Sequence, residues 1–266
     1  MRITLDLTKT IDQNASFYFE QAKIARKKAE RAKIALEESK KKLLEIEENI
    51  NKEIKEQEIG KTNLKKEWFE KFRWFFTSDG FLVIGGRDAG TNELVIKKYT
   101  EKDDLVFHTE MAGSPFIVLK TQGKKPSNYA LEETAIFTAV FSKAWKLGRT
   151  TTEVFYVLPE QVTKETKAGE FITRGSFMIY GKKNFLKPVL KIFIGIMNEN
   201  IDEKYKGKIM IAPENSIKKN CDIFLEILQG NEKNSDIAKK IKQKLNYFNV
   251  DDILRLLPNG SKLGKN

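Results

Sequence analysis

Small and aliphatic residues recur at alternating steps of three and four from Ala22 to Ile50, through Ala25, Ala29, Ala32, Leu36, Ser39, Leu43 and Ile46. That is the heptad period of a left-handed coiled coil. Neither Pro nor Gly interrupts residues 14–56, so the pattern predicts one helix over about 13–57, roughly 65 Å long at 1.5 Å per residue. The first half of the seam is alanine, which allows close approach of a partner helix but buries little area. A single helix cannot hide its own seam. The second strand must come from residues 61–73, from another copy or from another protein.

Gly60 is expected to end this helix, and the aromatic-rich LKKEWFEKFRWFF is expected to return as a helix over 63–73, with Trp68, Phe69 and Phe72 as its stripe. Beyond residue 74 the period shortens to two. FLVIGG (81–86), ELVIKKY (93–99), DLVFHTE (104–110) and PFIVLK (115–120) are β-rich runs separated by Gly, Asp, Asn and Pro, which predicts an antiparallel meander. YALEETAIFTAVFSKAWKLG then reads as one strong helix, capped by Ser127 or Asn128 and stopped by Gly148. Strands VFYVL, SFMIYG and LKIFIGI follow. The tail carries strands KIMIA and DIFLEI, a helix begun by Ser235 and a short helix DDILRLL. Together these elements predict an α+β chain: an N-terminal helical coiled coil (1–66), a mainly antiparallel sheet with one major helix packed on it (67–197), and a small α/β C-terminal extension (198–266).

Composition narrows the partners. Lys and Arg total 48 against 37 Asp and Glu, a net charge of +11. Such an excess favours polyanions through long-range attraction and counterion release. It does not by itself separate RNA, DNA and an anionic membrane, and a lysine-rich genome would also produce it. No apolar run approaches the ~20 residues of a membrane span, and LKIFIGIM reads as a buried strand. The chain holds one Cys and one His. No intrachain disulfide can form, which fits a reducing cytoplasmic setting. A Cys/His zinc site, which needs about four ligands, is excluded by count. No cofactor or metal is expected. His108 lacks a companion nucleophile motif and reads as a hydrogen-bonded structural histidine rather than a catalytic base, so no enzymatic activity is expected.

Two segments offer chemistry. In GGRDAGTNE (85–93), tight turns would project Arg87 and Asn92 toward phosphate, or an Arg–Asp pair would simply fix a hairpin. It is neither a P-loop nor a dinucleotide fingerprint, and no helix is expected to follow it. In QVTKETKAGEFITRGSFMIYGKKNF (161–185), Lys164, Lys167, Arg174, Lys182 and Lys183 interleave with glycines and with Phe177, Tyr180 and Phe185. Cations in permissive loops beside aromatics suit RNA backbones and unstacked bases. The bland reading makes the aromatics core and the lysines merely solvated.

WFEKFRWFFTSDGFLVIGGRDAGTNE, DLVFHTEMAGSP, SKAWKLG, LPEQVTKETKAGEF and RGSFMIYGKKNFL, spread in order over residues 67–187, resemble the NFACT-R RNA-binding domain. That domain occurs in ribosome quality-control factors of the NEMF and RqcH type, and this chain looks most like the archaeal members. ITLDLTKTIDQNASFYFEQAKIARKKAE is similar to the family's approach to its coiled coil, and the segments IAPENSIKKNCDIF and DDILRLLPNGSKL are similar to its archaeal extension. The resemblance implies binding to ribosomal RNA of a large subunit obstructed by peptidyl-tRNA, with tRNA as a further candidate for C-terminal tailing. It also implies that the peptidyl-transfer centre performs any chemistry. The family's NFACT-N portion has no match here; either a separate protein supplies it as a partner, or the sequence is a fragment.

The expected RNA contacts are therefore Arg87, Asn92, Lys164, Arg174, Lys182 and Lys183, acting on phosphate without reading bases. The rival reading is an assembly subunit whose seam of Ala29, Ala32, Leu36, Leu43, Ile46 and Ile50 mainly recruits another protein. Under that reading, polar substitutions at Leu36, Leu43 and Ile50 abolish co-purification with a partner from the native cell. A chain that proves partner-free there contradicts it.

Overall fold

The computed structural model describes residues 4–61, 66–111, 113–165 and 173–264, with backbone only for 45–61. Residues 1–59 and 60–266 form two compact units.

The first unit is α1 (Ile11–Lys61) and the segment before it. Thr10 and Gln13 cap the helix reciprocally: the Thr10 amide donates to Gln13 Oε1 and the Gln13 amide to Thr10 Oγ1. Among the described residues of this unit, Asn14 is the buried one. Its side chain accepts from the Asp6 amide and donates to the Asp6 and Thr10 carbonyls, folding the leading segment over the first turn. Ala29, Ala32, Leu36 and Leu43 are all exposed; the side chains of Ile46 and Ile50 lie outside the described residues. The helix continues through Gly60 to Lys61, since one Gly costs a helix only about 1 kcal/mol.

The second unit contains, in order, β1 (Arg73–Phe76), β2 (Leu82–Gly85), α2 (Ala89–Lys98), β3 (Leu105–Thr109), β4 (Ile117–Lys120), α3 (Asn128–Val140), α4 (Lys143–Lys146), β5 (Val154–Val157), β6 (Val162–Thr163), β7 (Met178–Ile179), β8 (Asn184–Leu186), β9 (Ile192–Met197), β10 (Ile209–Ala212), α5 (Glu214–Asn220), β11 (Cys221–Gln229), α6 (Asn234–Leu245), α7 (Val250–Leu256) and β12 (Ser261–Leu263). Antiparallel pairing builds a sheet in the order β1-β2-β4-β3-β5-β8, a second in the order β10-β9-β11-β12, and the small β6-β7 hairpin. The result is the expected α+β class. α3 buries Ala135, Phe137 and Ala139 in the core that both larger sheets share.

Several elements differ from the sequence expectation. ELVIKKY is not a strand: it lies in α2, because Asp88 and Thr91 form a capping box that starts a helix ahead of it. The expected meander is therefore interrupted, and β2 pairs directly with β4. The returning helix over 63–73 does not form in its described part. Residues 67–72 make two tight turns, with the Glu70 amide on the Glu67 carbonyl and the Phe72 amide on the Phe69 carbonyl. These turns bury Phe69 and Phe72 without a helix and leave Trp68 half exposed. The long helix after Ser127 breaks at Phe141, where Ser142 recaps a new turn by accepting from the Ala144 amide. The break brings Trp145 to β12, where its Nε1 donates to Ser261 Oγ at 3.0 Å. α6 begins at Asn234, and Ser235 does not cap it.

The boundary drawn at residue 197 runs through the second sheet, because β9 lies between β10 and β11. Buried Ser216 and Asn220 also donate to the Phe76 carbonyl, tying α5 to β1. Among the described residues no helix is long and apolar enough to cross a membrane.

Asp104 and Lys120 form a buried pair at 2.5 Å between the loop before β3 and the end of β4. Asp104 also accepts from the Thr121 and Glu101 amides. Removing one partner strands a buried charge, so Asp104→Ala should destabilise the chain by about 3 kcal/mol in chemical denaturation. A loss under about 1 kcal/mol, the level of a surface pair, contradicts this role.

Candidate nucleic-acid interface

The site is organised by the first turn of α2. Asp88 Oδ1 accepts from the Thr91 amide at 2.8 Å, and Thr91 Oγ1 accepts from the Arg87 and Asp88 amides. These bonds hold the Asp88 carboxyl below its ordinary range, with the positive charge of Arg174 contributing. Asn92 sits one turn on, and its Oδ1 accepts from the Phe116 amide at 3.2 Å. A Cβ at Gly86 would collide with that same amide oxygen, which explains the glycine. Asn92 is thus a tether between α2 and the start of β4.

Arg87 points elsewhere. Its guanidinium donates to the Phe72 carbonyl at 2.7 Å and the Arg255 carbonyl at 2.8 Å, clamping the turn before β1 to α7. Burial first, and the Arg255 charge second, lower its pKa. The loop is not the self-contained hairpin that an Arg–Asp pair would fix, because it opens α2. The structure instead makes Arg87 a joint between distant segments.

Glu93 gathers the β6-β7 hairpin. Its Oε1 receives Lys164 Nζ and the Gly175 amide, while Lys97 approaches Oε2 at 3.7 Å. Lys164 and Gly175 hold the Glu93 carboxyl at about 2. Lys164 Nζ also lies 5.2 Å from the Phe177 ring centre. Gly175 takes φ +82°, and any Cβ there would strike the Ala89 backbone, so the hairpin meets α2 at van der Waals distance. Arg174 beside it is exposed. Lys167 lies outside the described residues.

Gln161 joins the next cations to this hairpin, its Nε2 donating to the Tyr180 and Lys182 carbonyls. The Lys182 side chain is exposed. Lys183 pairs with Glu110 at 2.7 Å and sits 4.4 Å over the Phe155 ring. Tyr180 and Phe185 flank this pair, 41% and 55% exposed. Lys164 and Arg174 are therefore brought together at α2, and Lys182 and Lys183 continue from the same hairpin beside solvent-facing aromatics.

His108 donates from Nε2 to the Ser114 carbonyl and stacks on Phe116 at 4.3 Å. Burial lowers its pKa, which suits the structural role expected of it.

Sequence reasoning missed a second cationic feature. A cavity of about 500 Å³, lined in part by Trp68, Lys71, Trp74, Arg87, Phe248 and Arg255, lies between the turns before β1 and the α6–α7 region. The aromatic run before residue 74 was its visible half; Phe248 and Arg255 join it only through the tertiary fold.

Arg87→Ala should cost about 2 kcal/mol of stability, because two carbonyls lose a charged donor. Arg174→Ala should stay within about 0.5 kcal/mol, as an exposed substitution. Equal effects of the two variants in denaturation would contradict the division between joint and surface.

The family described as NFACT protein RNA binding domain matches residues 71–181. The archaeal Rqc2 homolog aRqcH of Methanocaldococcus jannaschii is 42% identical over 266 residues, covering 97% of this chain and 39% of that protein. The ribosome quality control complex subunit NEMF homolog of Drosophila melanogaster is 30% identical over 241 residues, covering 86% of this chain and 24% of that protein. Human ribosome quality control complex subunit NEMF is 34% identical over 176 residues, 66% of this chain and 16% of that protein. The chain thus spans well under half the length of these relatives. The matched residues carry β1 to β7 and α2, and the chain belongs to the NFACT-R RNA-binding domain family.

Proposed function

We propose that this chain binds RNA in ribosome quality control, gripping ribosomal RNA on a large subunit obstructed by peptidyl-tRNA. The observation that carries the reading is the exposure of this segment: Arg174 and Lys182 face solvent, Lys164 and Lys183 are only half committed to glutamates, and Tyr180 and Phe185 are open to solvent. Cations there would neutralise phosphates while exposed rings stack on unpaired bases. Family membership and the ribosome quality-control names of the relatives supply the setting. On this reading the chain works in the cytoplasm, takes tRNA as a further RNA partner during tailing, and acts without catalytic groups of its own. Arg87 and Asn92 would then contribute by holding the α2 turn.

The rival reading, an assembly subunit that recruits a protein through the α1 seam, is supported by the exposure of Leu36 and Leu43. The seam variants described above test it.

Charge reversal at Arg174, Lys182 and Lys183 together should lower co-sedimentation with large subunits at least about tenfold at physiological salt. It should also flatten the salt dependence, since each lost phosphate contact removes roughly 0.7–0.9 from the log–log slope. Unchanged co-sedimentation would remove the hairpin from the interface.

A further inference from the structure

The cleft beside Arg87 has a composition unlike an ordinary packing gap. Trp68 is 46% exposed and stacks flat on Tyr99, with ring centres 5.0 Å apart and planes 8° apart. Lys71 donates to the Tyr99 hydroxyl and lies 4.4 Å from its ring centre, fixing that stack from the side. Phe248 offers a second, partly open ring to the same space, and Trp74 lines it from β1.

Cations outnumber acids five to three along the cleft, and one of those acids, Glu70, is taken up by Lys208. Arg87 and Arg255 line the cleft together, and among the described residues neither guanidinium has a carboxylate within ion-pair distance. Arg87 Nε is buried and unbonded. The acid nearest in sequence, Asp252, is engaged by Asn249 and Tyr247. Like charges crowded in a low-dielectric cleft are relieved by an anion with several acceptor oxygens, and guanidinium forks match phosphate. Exposed aromatic faces beside such a site suit a flat heterocycle. The volume lies within the range of small-ligand pockets.

We infer that this cleft receives one unstacked nucleotide of a single-stranded RNA, its base against Trp68 and Phe248 and its phosphate on the exposed Arg255, whose backbone Arg87 holds in place. The inference rests on the RNA-binding reading above and adds a second contact point, distinct from the hairpin. Because stacking accepts any π-face, the site is expected to bind with little sequence preference.

The full chain can be titrated with a single-stranded RNA of about six nucleotides, the same RNA carrying a central abasic site, and AMP. Intrinsic tryptophan fluorescence is the readout: Trp68 and Trp74 line the cleft, whereas Trp145 is buried against β12. The intact RNA should quench the signal. The abasic RNA, and the Arg255→Ala and Phe248→Ala variants, should each bind about tenfold more weakly. Arg255 is exposed, so its variant keeps the test valid should Phe248→Ala unfold. Equal binding of intact and abasic RNA by wild type and both variants would overturn the nucleotide site, while leaving the RNA reading intact. AMP binding as tight as the RNA would overturn the single-strand assignment in favour of a free nucleotide. Loss of both RNA binding and large-subunit co-sedimentation in the wild-type chain would overturn the RNA reading and this inference with it.

Discussion

Much of the functional half of this molecule depends on a single helix cap. The reciprocal bonds between Asp88 and Thr91 start α2 where the sequence reads as a turn between strands. Once that turn is fixed, three neighbouring side chains diverge. Arg87 reaches back to the carbonyls of Phe72 and Arg255, Asn92 meets β4, and Glu93 collects Lys164 and the Gly175 amide. A cap of this kind contributes only about 1 kcal/mol by itself. Its larger effect is geometric, because it sets the positions from which the clamp, the tether and the hairpin anchor all depart.

The cations consequently divide by task. Arg87 and Lys120 are absorbed into backbone and carboxylate contacts. Lys164 and Lys183 are half committed, each to one glutamate and one aromatic ring. Arg174 and Lys182 face solvent. A phosphate arriving at the hairpin would meet the last two directly and would compete with Glu93 and Glu110 for the others. Because those glutamates are themselves partly exposed, the competing pairs are weak enough to exchange. The surface can thus be ordered before RNA arrives and still be available to it.

The long N-terminal helix, the strands β3, β4, β5, β9, β10 and β11, and the helices α3, α6 and α7 were legible from periodicity, because each carries a strong repeat and a clear punctuator. ELVIKKY was not: Val95 and Ile96 are β-branched, and only the Asp88–Thr91 spacing upstream reveals the helix. The aromatic run from Trp68 reads as helical at i, i+1 and i+4, yet two tight turns bury the same rings. Among the site residues, the Lys and Arg of the 161–185 segment could be named from the chain. Nothing local announces that Arg87 binds carbonyls, since one of them, that of Arg255, is 168 residues away. The aromatic cleft is hidden for the same reason.

The central claim is that RNA lies along the β6-β7 hairpin and the segment following it. Ultraviolet cross-linking of the full chain to large ribosomal subunits, with the attached peptides mapped by mass spectrometry, tests it most directly. The account predicts RNA adducts within residues 173–185, foremost at the exposed rings of Tyr180 and Phe185. Adducts confined to α1, with none in that segment, would contradict it.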